Sequence, residues 1–168
     1  CTSPTSVKLP SGVTKIGEDA FYGCKKLKSV TLSSNLKTID DKAFYKCTAL
    51  TSITIPSKVN KIGKMAFYGC KKLKKITINT SKLTDMYGMF NYSNYLETVN
   101  LSGWDISKVT SVSIFDNCYN LTNVPNLNTS NVTNMSYMFN GCFNLTNSPN
   151  LNTSKVENMK SMFGYCYN

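Results

Sequence analysis

The chain has 168 residues, a formal net charge of +10, no His, and 19 basic residues that are all Lys. A chain of this length can bury a proper core, and no unbroken apolar run approaches the roughly 20 residues that a membrane-spanning helix needs. Without His the usual general base and nucleophile activator is missing, so the expectation is no enzymatic role and no cofactor.

Self-similarity organises the chain from its first residues onward. CTSPTSVKLPSGV (1–13) aligns with CTALTSITIPSKV (47–59), so Cys1 holds a repeat position and the chain is expected to begin inside a unit. VTKIGEDAFYGCKKLKSVTL (13–32), LKTIDDKAFYKCTALTSITI (36–55) and VNKIGKMAFYGCKKLKKITI (59–78) then align without a gap. In the first of them Val13, Ile16, Ala20, Phe21, Cys24, Leu27, Val30 and Leu32 are expected to point inward. Leu27-x-x-Val30-x-Leu32 ends in alternation, which predicts a short strand with one buried face. The arc from Ile16 to Cys24 has Ala20 and Phe21 spaced for a single helical turn on the opposite side.

The second half repeats the plan in altered form. LTDMYGMFNYSNYLETVNL (83–101), VTNMSYMFNGCFNLTNSPNL (132–151) and VENMKSMFGYCYN (156–168) carry Met-x-x-Met-Phe, and VTSVSIFDNCYNLTNVPNL (109–127) is one residue short before its Phe. The Phe position runs through Phe21, Phe44, Phe67, Phe90, Phe115, Phe139 and Phe163, at spacings of 23, 23, 23, 25, 24 and 24. Cys follows three residues later except at Ser93, and a Leu three residues after that from Leu27 to Leu145. No unit can bury its apolar positions alone, so neighbours must stack. The expected fold is a parallel solenoid of about seven repeats of 23–25 residues, with short parallel strands on one face and turns and short helical arcs on the other. Residues 1–168 form one solenoid fragment, 1–78 of the first type and 79–168 of the second, uncapped at both ends.

Two resemblances rest on these residues. IGEDAFYGCKKLKSVTLSSNLKTIDDKAFYKC resembles the BspA-type leucine-rich repeat of bacterial and some protist surface proteins. NLNTSNVTNMSYMFNGCFNLTNSPNLNTSKVENMKSMF and SGWDISKVTSV resemble the related MxxMF repeats of bacterial and mycoplasma-type surface lipoproteins. The resemblance implies a leucine-rich-repeat solenoid, extracellular and surface-attached, acting as an adhesin toward host matrix, other cells or glycans. Membrane contact would come only through an anchor elsewhere. Ser93 in place of Cys, Pro4 in place of Leu and Ser148 in place of an apolar strand residue depart from the pattern.

The strand positions expected to face solvent are Ser29, Thr31, Ser52, Thr54, Lys75, Thr77, Thr98 and Asn100. Small hydroxyl side chains at two-residue spacing suit a polar, repetitive ligand, a glycan or an extended protein segment, and these eight residues are the candidate binding site. Nucleic acid would want exposed aromatics beside the basic residues on that sheet, and none is expected there. Residues 1–82 hold 16 Lys against Glu18, Asp19, Asp40 and Asp41, a net +12, whereas 83–168 sum to −2. Contact of the basic half with polyanions is one reading, and solubilising Lys on an exposed face is the plainer one. A third role, a spacer that projects another domain, also stays open.

Other constellations take structural readings. The Cys column is expected to be buried, reduced and packed as small hydrophobes with weak hydrogen bonds, with no metal because nothing completes a tetrahedral set. Glu18-Asp19 and Asp40-Asp41 read as solvated turn residues, and the Phe, Tyr and Met columns as core or near-core packing. Nine Asn-x-Ser/Thr sequons lie in the second half. Asn-Thr-Ser recurs at one turn, at 79–81, 128–130 and 152–154, where side-chain-to-backbone bonds favour it.

Overall fold

The alternating segments that close each unit become strands because one side of each must leave water while the other stays wet. The computed structural model describes residues 4–78, 87–100, 106, 108–124, 126–147 and 149–167. Among these the strands are β1 (Ser6–Lys8), β2 (Lys15–Ile16), β3 (Ser29–Thr31), β4 (Thr38–Ile39), β5 (Ser52–Ile55), β6 (Lys61–Ile62), β7 (Lys75–Ile78) and β8 (Thr98–Asn100). They form two parallel sheets, one in the order β1-β3-β5-β7-β8 and a smaller one in the order β2-β4-β6. Equivalent residues pair: Val7 with Val30, Ile53 with Ile76, and Ile76 with Val99. The 23-residue repeat is therefore the length of one coil.

Beyond β8 the ladder thins to single bridges, Thr98 to Asn123, Ser111 to Asn134 and Asn134 to Asn158. The cause lies in the sequence. TNVPNL and TNSPNL stand where earlier coils carry TSITIP and KKITIN, so Asn replaces β-branched residues and Pro withholds a donor.

Columns fill the interior. Phe21, Phe44, Phe67, Phe90, Phe115, Phe139 and Phe163 stack in one file, with consecutive ring centroids 5.0 to 6.0 Å apart. Leu27, Leu50, Leu73, Leu96, Leu121 and Leu145 are buried beside them, as are Ile16, Ile39 and Ile62. Each such side chain contributes roughly 1.5–3 kcal/mol by leaving water. Met89, Met135, Met138 and Met162 are buried too, whereas Met159 of the last coil is exposed.

The Cys column works as a hydrogen-bonded file. Cys47 Sγ donates to the Phe21 carbonyl at 3.0 Å, Cys70 to Phe44 at 3.2 Å, Cys118 to Phe90 at 3.1 Å and Cys142 to Phe115 at 3.2 Å. Ser93 keeps the bond with its hydroxyl, 3.1 Å from the Phe67 carbonyl. Cys47, Cys70, Cys118, Cys142 and Cys166 are free thiols. Cys24 differs from the expected reduced state, because it is disulfide-bonded.

The arc opposite the strands departs from expectation. Among the described residues no helix forms there, because left-handed residues recur four apart. These are Asp19 and Gly23 (φ 54 and 65), Lys42 and Lys46 (52 and 55), and Met65 and Gly69 (54 and 67). A left-handed residue every fourth position is incompatible with an α-helix. Donors alternate instead. Tyr22 and Cys24 N–H groups bond locally to the Asp19 and Phe21 carbonyls, at 2.9 and 3.1 Å. Asp19, Phe21 and Gly23 N–H groups cross to Asp41, Ala43 and Tyr45 of the next coil, at 3.2, 2.8 and 2.8 Å. The arc is thus another ladder between coils. The unit one residue short absorbs its deletion here: Gly88 N–H meets the Ser113 carbonyl at 2.8 Å, and Ser113 is not left-handed.

Two further readings are corrected. The Tyr column is a surface feature: Tyr22 is 47% exposed, and Tyr45 and Tyr68 are half-buried. Asp40 is no solvated turn residue, since its side chain is only 16% exposed and lies 2.7 Å from Lys15 and 3.2 Å from Lys61. Flanking coils supply Lys at the equivalent β2 and β6 positions, so one carboxylate joins three coils. Asp41 Oδ1 accepts the Lys64 N–H at 2.9 Å. Gly63 of the same turn has no room for a Cβ, which would collide with the Asp41 carboxylate and the Asp40–Asp41 backbone.

Candidate functional site

Alternation decides which strand residues reach solvent. Val30, Ile53, Ile76 and Val99 face the core, so their neighbours on each side point outward. Ser29, Thr31, Ser52, Thr54, Lys75 and Thr98 are exposed, and Thr77 is half-buried. Asn100 closes β8 opposite Thr77, its side chain lying outside the described set.

Pairing gathers these residues into two straight rows. One is Ser6, Ser29, Ser52, Lys75 and Thr98, and the other is Lys8, Thr31, Thr54, Thr77 and Asn100. A bridge from Thr98 carries the first row on to Asn123. Ser6, Lys8 and Asn123 were not among the candidates. The alignment of residues 1–13 with 47–59 already placed Ser6 opposite Ser52 and Lys8 opposite Thr54, so the signal for those two was present. Neighbouring strands lie about 4.8 Å apart, and residues two along a strand about 6.6 Å apart. The face is therefore a lattice of small polar groups.

Threonines divide into two sets. Thr51, Thr122, Thr133 and Thr146 donate their hydroxyls to carbonyls of the preceding coil, Lys28, Glu97, Thr110 and Thr122, at 3.3 to 3.4 Å. Those hydroxyls are committed to holding coils together. Among the described residues, no hydrogen bond engages the hydroxyls of Ser29, Thr31, Ser52, Thr54, Thr77 or Thr98. Over β3 and β5 the face sinks into a shallow open depression of about 420 Å³, bordered by Ser29, Thr31, Ser34, Ser52, Thr54 and Pro56. Such a surface can donate to and accept from an extended polar chain laid across the coils.

Charge and acid–base chemistry are sparse on this face. Lys75 supplies a cation, and Lys74 beside it pairs with Glu97 at 3.3 Å. Buried thiols lie behind the strands, pushed up to about 12 at Cys47 by desolvation. They are neutral packing groups rather than nucleophiles. Asp116, on the arc, is raised above the ordinary carboxylate value by burial, against the lowering effect of Asn140, whose Nδ2 donates to it at 2.7 Å. Among the described residues no three His, Cys, Asp or Glu side chains converge as a metal site, and no helix is long and apolar enough to cross a membrane.

Sequon asparagines largely serve turns. Asn128, Asn134 and Asn152 accept the N–H two residues on, from Ser130, Ser136 and Ser154, at 3.3, 2.9 and 3.0 Å. Asn91 is buried and accepts the Asp116 N–H at 3.1 Å. Asn79, with the first Asn-Thr-Ser turn, lies outside the described residues, as does Ser148.

Comparison with known proteins matches this architecture. A model of the BspA type leucine rich repeat region matches residues 1–122 in 6 copies. A second, described as Mycoplasma protein of unknown function, DUF285, matches residues 112–168. Among solved structures, a T. pallidum leucine rich repeat protein is 30% identical with a TM-score of 0.69, covering 85% of this chain and 65% of that one. A leucine-rich repeat protein from Eubacterium ventriosum, 23% identical with a TM-score of 0.75, covers 99% of this chain and 44% of that one. The chain thus spans just under two thirds of the first protein and less than half of the second. No curated protein matches it significantly. The model over residues 1–122 and both structures describe leucine-rich repeat proteins.

Proposed function

The chain belongs to the BspA-type leucine-rich repeat family, and from that premise we propose that it is a cell-surface binding module whose strand face contacts a polar, repetitive ligand. That ligand is a glycan or an extended segment of a matrix protein or another cell's surface, met outside the cell. The observation that carries the reading is the pair of registered rows whose hydroxyls have no partner within the described residues. Residues buried in an interface need partners for their polar atoms, and a face that holds its donors and acceptors in reserve has them available for a ligand. Parallel coils present such groups at a constant interval, which matches chains that repeat in their own right.

Binding of the soluble protein to arrayed glycans and matrix proteins, at low and at physiological salt, tests the proposal. The comparison protein carries Thr31→Val, Thr54→Val and Thr77→Val, which removes three hydroxyls while keeping β-branched shape. A salt-resistant hit lost in the triple variant, with the fold retained by circular dichroism, supports the strand face. Full retention of binding in that variant overturns it, and a blank array with folded protein favours a spacer.

A further inference from the structure

A second surface stands apart from the strand face. On the arc, Tyr22, Tyr45 and Tyr68 of three successive coils stack with ring centroids 4.9 and 4.8 Å apart and planes within 9°. Tyr92 continues the file, tilted, at 5.2 Å. Lys46 stands beside the stack with Nζ 5.2 Å from the Tyr45 centroid. Its stem passes over Gly69, whose missing Cβ would come within 3.2 Å of Lys46 Cγ. Two residues beyond that turn, Lys25 and Lys26 leave the first coil and Lys71 and Lys72 the third, all exposed.

Several other lysines of these coils are held by partners. Lys15 and Lys61 are tied to Asp40, Lys74 to Glu97, and Lys58 to the Asn35 carbonyl at 2.8 Å. Among the described residues, none of Lys25, Lys26, Lys46, Lys71 and Lys72 meets a carboxylate. The equivalent positions of the second coil are Thr48 and Ala49, so the paired lysines, which begin three residues after Tyr22 and Tyr68, flank a gap one coil wide.

We infer that this tyrosine–lysine strip is a binding surface for a linear anionic polysaccharide lying across the first three coils. Charge complementarity selects the anion: clustered cations without internal partners raise the local concentration of a polyanion. The aromatic geometry selects the kind of polymer. Nucleic-acid bases bind by stacking on ring faces, but here the faces of Tyr45 and the inner faces of its neighbours are covered by one another. What the file presents outward is ring edges and phenol groups at regular intervals. Burial, with Tyr45, Tyr92 and Asp116 nearby, raises the Tyr68 phenol above its ordinary value, so it stays a neutral donor. Neutral donors beside ammonium groups fit a chain that carries both hydroxyls and carboxylates or sulfates. Lysine, a rotatable point charge, follows such a chain without demanding a planar partner.

Calorimetric titration of the whole chain with a heparin oligosaccharide, neutral dextran and single-stranded DNA of the same charge tests the inference. Heparin is expected to bind, dextran not, and heparin affinity to fall roughly tenfold to a hundredfold between about 50 and about 200 mM salt. The variant Lys25→Thr, Lys26→Ala, Lys71→Thr, Lys72→Ala gives the first and third coils the residues of the second, so its fold is preserved by precedent. It is expected to lose at least tenfold in heparin affinity. A charge-matched variant, Lys37→Thr, Lys108→Asn, Lys155→Asn, Lys160→Ser, is expected to lose less than threefold, and the strand-face triple Val variant to bind as before. Equal losses in the two lysine variants reduce the effect to net charge and overturn the inference. So does DNA binding as tight as heparin binding.

Discussion

Each free thiol of the Cys column does two things at once, filling a small apolar space and donating to a carbonyl of the preceding coil. Ser93 supplies a natural comparison because it retains the donor with less apolar volume. Cys70→Ser is therefore expected to cost less than about 1 kcal/mol, a fall of a few degrees in Tm at most. Cys70→Val removes the donor and adds bulk in a tightly filled file, at about 1–3 kcal/mol, and thermal melts of the two variants decide the order. The opposite order would mean that volume alone governs this position. The spacing of three residues from Phe made the column legible in the sequence, including its weak hydrogen bonds. Its acceptor, 26–28 residues upstream, was not legible, because it depends on how the arc's backbone turns. Direction failed in the same way for Tyr22 and Tyr45. A repeat period shows that residues align but not whether the file faces inward, and next to a left-handed residue the usual alternation gives no guide.

At the level of elements, the two-residue strands β2, β4 and β6 are held as much by charge as by backbone. Two residues carry no periodicity, which is why this sheet escaped sequence reading while β3, β5 and β7, with their apolar–polar alternation, did not. Asp40 sits across the small sheet, its carboxyl held below the ordinary value of 3.8 chiefly by the Lys15 hydrogen bond, with desolvation opposing and Lys61 assisting. A folded-state pKa below the unfolded one stabilises when the group is ionised. The contribution is present above pH 4 and is lost as pH falls through the lowered folded value. Melting temperature should decline over that acid range in the parent protein and decline less in Asp40→Asn, which itself should be about 1 kcal/mol less stable at pH 7. Parallel curves for the two proteins would remove Asp40 from the account. The solvent-facing strand rows were legible for the same reason as the larger sheet, and the reading fell short at their margins, at Ser6, Lys8 and Asn123.

Across the whole molecule, stability is a sum over neighbours, since each coil touches only the one before and the one after. Phe67 lies between Phe44 and Phe90, whereas among the described residues Phe163 stacks on Phe139 alone and is 40% exposed. Phe67→Ala is expected to lose about 3–5 kcal/mol in urea unfolding, and Phe163→Ala less than half as much. Equal losses would mean that the coils do not behave as a linear series. The second half keeps this series with fewer strand pairs, relying on committed threonines, Asn turns and the arc.

That the arc bonds coil to coil has a mechanical consequence when the molecule is pulled along its axis. Both ladders run along the axis, so tension applied at the ends loads the outermost coil first and leaves the rest at their native spacing. Each coil that peels away releases 23–25 residues of slack, roughly 80 Å when extended. Under a steady pull such a molecule lengthens in discrete steps, paying out chain while the coils still wound keep their grip.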